Sequence, residues 1–82
     1  GEEVEPIDEK NYKIDAGMRI GEVNEELGLN LPRGEYETVA GFVLDSLGRI
    51  PREGDQVRHD GVKLAVSEMQ GVKIEKILIT KG

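Results

Sequence analysis

The chain has 82 residues, no cysteine, three aromatics and a net charge of −6. That length allows one domain, the lack of cysteine excludes disulfides and thiolate metal sites, and no apolar run approaches the roughly 18 residues of a membrane-spanning helix. An acidic chain without a basic patch, with only Tyr12, Tyr36 and Phe42 as stacking platforms, argues against nucleic-acid binding.

Residues 1–10 hold Glu2, Glu3, Glu5, Asp8 and Glu9 against Lys10, so this leader nets −4 and the remaining 72 residues −2. The leader contains Pro6 and lacks periodicity, and it reads as an acidic linker, flexible unless something packs on it. Residues 11–82 read as the domain. Tyr12-Lys13-Ile14-Asp15 alternates in polarity and predicts a short strand, with Gly17 as a turn residue. Ile20, Val23 and Leu27 then recur at helical spacing, Glu22, Asn24, Glu25 and Glu26 form the wet face, and Gly28 stops the helix. Leu29 and Leu31 stud the connection through Pro32, Arg33 and Gly34 and are expected to pin it to the core.

Tyr36 to Asp55 predicts the central helix and its exit. Thr38 can cap the start, Gly48 can close the end in a left-handed conformation, and Pro51 bars continuation. Val39, Phe42, Val43, Leu47 and Ile50 form one apolar stripe, while Ala40, Gly41 and Leu44 make much of a second face. So apolar a helix is expected to be covered on more than one side. Gly41 sits mid-helix at a cost of about 1 kcal/mol relative to Ala, which predicts close approach of another backbone.

After Asp55 the period changes to alternation. Gln56 to His59 reads as a strand, Asp60-Gly61 as a two-residue hairpin turn, and Val62, Leu64 and Val66 as one face of the returning strand opposite Lys63, Ala65 and Ser67. Gln70-Gly71 is a second turn and Val72 to Thr80 the last strand. Val72 and Ile74 are out of phase with Ile77 and Ile79, which predicts a bulge near Glu75-Lys76. Leu78 then faces away from the core, as single surface leucines often do, or marks a self-association surface. The order β-α-α-β-β-β predicts an α+β domain, two helices packed on a mainly antiparallel sheet.

No catalytic residues stand out. His59 is the lone histidine and reads as a solvated residue beside a turn, and neither Ser46 nor Ser67 lies in a nucleophile-elbow context. Glu22, Glu25, Glu26, Glu35, Glu37, Glu53, Asp55 and Asp60 lack the spacing of a calcium loop and read as solvated faces. The glycines are spread singly and form neither a dinucleotide fingerprint nor a P-loop.

The run Tyr36-Glu37-Thr38-Val39-Ala40-Gly41-Phe42-Val43-Leu44, then Leu47-Gly48-Arg49-Ile50-Pro51 and Gly54-Asp55, resembles the CorC/HlyC-type transporter-associated domain. Leu27 to Pro32 also resembles that family's pattern after its first helix. The resemblance covers about Tyr12 to Thr80. It implies a non-catalytic accessory domain of a membrane protein with paired CBS (cystathionine-beta-synthase) modules, on the cytoplasmic side of the membrane and linked to magnesium or cobalt transport or resistance. Partners implied are the CBS modules and membrane part of the same parent, whose anchor is expected outside this sequence. The family's fold is similar to part of a flavin-binding domain, but no flavin motif is present, and shared fold does not transfer a cofactor. The alternative reading is a small-ligand sensor for a divalent metal, a nucleotide or FAD; an enzyme is the weakest reading.

Overall fold

The computed structural model describes residues 3–82. Its elements in chain order are β1 (Val4–Pro6), β2 (Asn11–Asp15), α1 (Ile20–Leu27), α2 (Val39–Leu47), β3 (Gln56–His59), β4 (Val62–Gln70) and β5 (Lys73–Thr80). The strands form one antiparallel sheet in the order β1-β2-β5-β4-β3. From Asn11 onward this is the expected α+β order. Ile14, Leu64, Val66, Ile74, Ile77 and Ile79 of the sheet join Ile20, Val23 and Leu27 of α1 and Val39, Phe42 and Val43 of α2 in a single core.

Helix α2 is built as its residues dictate, and its first turn leaves no N–H unpaired. Val39 N–H donates to the Met18 carbonyl and Ala40 N–H to that of Ala16, both at 2.9 Å. Gly41 N–H donates to the Thr38 hydroxyl at 3.1 Å, the expected cap. Gly48 closes the helix at φ 70° with its N–H on the Leu44 carbonyl. Ala16 and Met18, on the turn after β2, thus serve as both core residues and acceptors, tying α2 to the sheet.

The Asp60-Gly61 hairpin also forms as expected. Both residues take positive φ, 48° and 77°, as a two-residue turn of this hand requires. The bulge predicted near Glu75-Lys76 is present at Glu75, since Met69 pairs Ile74 while Glu68 pairs Lys76. A second bulge in β4 leaves Ser67 unpaired between Val66 and Glu68.

Several expectations are corrected. The leader is not linker throughout: Val4–Pro6 adds an edge strand to β2, with Val4 packed against the core. Its alternation is too short to show in sequence, and its partner is supplied by the fold. Residues 1–2 of that leader lie outside the described residues. Helix α2 is covered on one side only, because Leu44, Asp45 and Ser46 face solvent. Ile50 lies beyond the Gly48 cap and is 61% exposed, so it does not continue the apolar stripe. Gly41 is approached most closely by the Cβ of Tyr36, not by another backbone element: a Cβ placed there would lie 2.8 Å from it. Val72 belongs to the Gly71-Val72 turn rather than to β5 and is 69% exposed.

Candidate functional site

A cleft lies between the start of α1 and the connection into α2. It encloses about 440 Å³ and is lined by Arg19, Ile20, Gly21, Glu22, Arg33, Gly34, Tyr36 and Glu37. Backbone crossings build it. Arg19 and Thr38 form an isolated antiparallel bridge, and Ile20 N–H donates to the Glu37 carbonyl at 3.1 Å. Tyr36 is held upright by its hydroxyl, which donates to the Pro32 carbonyl at 2.8 Å, and its ring stands 5.5 Å from that of Phe42.

Charge in the cleft is mixed. The Arg19 guanidinium meets Glu37 at 3.2 Å, with both side chains exposed. Glu22 turns back to accept the Arg19 N–H at 3.1 Å, which caps α1. Arg33 lies across the first turn of α1, its Nη2 atom 2.9 Å from where a Cβ on Gly21 would stand. Gly21, which weakens the helix, leaves room for that guanidinium. Among the described residues Arg33 makes no ion pair. Sequence reasoning missed Arg19, Arg33 and Tyr36 as a group, because they converge only through the Arg19–Thr38 bridge.

The acids named from sequence are dispersed rather than gathered. Glu25, Glu26 and Glu35 are exposed. Glu53 accepts the Met69 N–H at 3.0 Å. Asp55 pairs with Arg49 at 2.8 Å and accepts the Arg52 N–H at 2.8 Å, and these contacts, Arg49 first, hold its carboxyl at about 2. Asp60 stands 3.5 Å from His59. Among the described residues no three acids or histidines are grouped to hold a metal ion. His59 is half-buried, its ring edge-on to Phe42 at 6.0 Å, rather than simply solvated.

The sheet face opposite the helices is polar and cross-linked. Lys13 pairs with Glu68 at 2.7 Å, lowering the Glu68 carboxyl, and Lys76 pairs with Asp15, whose hydrogen bond raises the ammonium. Thr80 Oγ1 donates to Asn11 Oδ1 at 2.6 Å. Leu78 lies on this face between Lys13 and Ala65 and is half-buried. Among the described residues no helix is long and apolar enough to cross a membrane.

A family model described as the transporter associated domain, CorC_HlyC, matches residues 5–82. The chain belongs to this family. As a member of the CorC/HlyC transporter-associated domain it is an accessory domain and not an enzyme. The polyamine export protein of Escherichia coli K12 is 33% identical over 82 residues, which is 98% of this chain and 18% of that protein. Coverage of the Synechocystis relative is similar at 17% of its length, so the chain spans under a fifth of these curated relatives. Among solved structures, a hemolysin domain from Enterococcus faecalis V583 superposes with a TM-score of 0.89 at 26% identity over 96% of both chains. The CorC_HlyC domain of a Xylella fastidiosa hemolysin, solved in complex with Mg++ and Mn++, superposes with a TM-score of 0.85 at 26% identity over 98% of both chains.

Proposed function

We propose that this chain is a regulatory domain of a larger membrane-bound protein of the CorC/HlyC type, on the cytoplasmic side of the membrane. It acts through contact with CBS modules or the membrane part of the same parent and is linked to handling of divalent cations such as magnesium or cobalt. The observation that carries this reading is the family match across residues 5–82. The Xylella fastidiosa relative solved with Mg++ and Mn++ supports the link to divalent cations. The polyamine export protein widens the cargo class that relatives serve to organic cations.

The second reading is a small-ligand sensor. It is favoured by the cleft at Arg19, Arg33 and Tyr36, where the Arg33 guanidinium lacks a counter-ion among the described residues. Thermal unfolding against magnesium, cobalt, spermidine, ATP and FAD separates the two. A ligand at a hundred times its dissociation constant adds about 2.7 kcal/mol. No shift with any of them, together with binding to the isolated CBS pair of the parent, supports the contact-module reading. A saturable shift with one ligand, abolished by Arg33→Ala, replaces it with the sensor.

A further inference from the structure

The two edges of the sheet are unlike. At one end, β1 is three residues long and contains Pro6. Asp15 N–H donates to the Glu3 carbonyl and Ile7 N–H to that of Asn11, which turns the free backbone groups of Val4 and Pro6 outward. Pro6 has no N–H to give, so this edge is blunted.

The β3 edge at the other end is open. Val66 N–H donates to the Asp55 carbonyl at 2.8 Å, and the register pairs Gln56 with Ala65 and Arg58 with Lys63. These are therefore the non-hydrogen-bonded pairs, as the two-residue turn closing at His59 and Val62 also requires. The N–H and C=O of both Gln56 and Arg58 point away from β4 and have no partner among the described residues. Arg58 and Lys63 emerge side by side on the face opposite the helices, at the closest spacing a ladder offers. Like charges so placed repel, and neither makes an ion pair among the described residues. The polar residues that the ladder sets beside them on that face are Gln56, Thr80 and Asn11, none of them acidic, and the adjoining turn carries one acid, Asp60, which stands 3.5 Å from His59.

We propose that the β3 edge accepts an extended acidic peptide from a partner protein as a sixth strand. Its backbone bonds to Gln56 and Arg58, and a carboxylate side chain sits beside Arg58 and Lys63. An apolar side chain between its acids covers the half-buried Val57 on the helix side. The occupant is not this chain's own leader, because β1 is held at the far edge with three strands between. Nor is it the β3 edge of a second copy, which would gather two more cations at the same place. Pairing β3 of one copy with β1 of the next would propagate without closing and would meet the proline-blunted edge.

The test is amide hydrogen exchange of the 82-residue chain with acetyl-Glu-Val-Glu-Val-Glu-amide, using acetyl-Lys-Val-Lys-Val-Lys-amide as control. Exchange at Gln56 and Arg58 is expected to slow by about a hundredfold at a hundred times the dissociation constant of the acidic peptide, and not with the lysine peptide. Arg58→Glu combined with Lys63→Glu should reverse the preference, and Arg58→Gln with Lys63→Gln should weaken it without reversal. Equal protection by both peptides, or protection elsewhere only, overturns the proposal. So does charge-dependent binding to phosphatidylglycerol vesicles with unprotected edge amides, which would make this a headgroup contact.

Discussion

Asn24 grips the backbone of Leu31 with both ends of its amide. Oδ1 accepts the Leu31 N–H at 2.8 Å, and Nδ2 donates to the Leu31 carbonyl at 3.1 Å. The pair ties the last turn of α1 to the connection that places Leu31 in the core. Asn24→Ala leaves two partly buried backbone groups unpaired and should cost about 1–3 kcal/mol. Asn24→Asp keeps the acceptor but sets an oxygen against the carbonyl, and should lie in the same range. Urea unfolding measures both.

Gly41→Ala should destabilise the domain although Ala favours helix by about 1 kcal/mol. The new Cβ would stand 2.8 Å from the Tyr36 Cβ, and overpacking of this kind costs about 1–3 kcal/mol. In a Tyr36→Gly background the obstacle is gone, so the same substitution should become neutral or stabilising. A double-mutant cycle of thermal midpoints reads the sign change.

Asp55 should make stability pH-dependent on the acid side. Its carboxyl is lowered from 3.8 to about 2, first by the Arg49 hydrogen bond and then by the Arg52 N–H. A carboxyl depressed in the folded state stabilises fully above its unfolded value and loses that contribution as pH falls through the folded one. The window is therefore pH 3.8 down to about 2. Asp55→Asn should be less stable than the parent at neutral pH, with the gap closing across that window. Urea midpoints at stepped pH check it; a constant gap would remove Asp55 from the account.

Removing residues 1–6 tests the leader. A plain linker could be cut without effect. Here Val4 packs on the core and β1 covers the edge of β2, so truncation should cost about 1 kcal/mol and speed amide exchange along the freed edge of β2.

Much of the fold was legible because its signals are local. Thr38, Gly48 and the Asp60-Gly61 pair each act within a few residues, and all three behave as their chemistry dictates. Ile50 misled because spacing alone carried the stripe past a glycine that ends the helix. Val4-Glu5-Pro6 was invisible because three residues cannot show a period and their partner β2 is chosen by tertiary packing. The Arg19–Arg33–Tyr36 cleft could not be read either, since its members meet through a bridge between segments far apart in sequence. Arg58 opposite Lys63 was within reach: a two-residue turn at Asp60-Gly61 sets that pairing by counting outward.

The bulges at Ser67 and Glu75 behave like a frameshift and its suppressor. Each adds one unpaired residue to its own strand, so Val66 with Ile77 and Met69 with Ile74 stay in the same frame on either side. Deleting either residue alone would leave the β4–β5 hairpin one residue out of step, whereas deleting both would restore a regular ladder with the same residues facing inward. What the double deletion would lose is the Glu75 carbonyl, which accepts the Ala16 N–H at 2.9 Å. Ala16 is the residue whose own carbonyl receives the Ala40 N–H. The irregularity in the hairpin is thus the first link of a chain of backbone bonds that sets where the second helix begins.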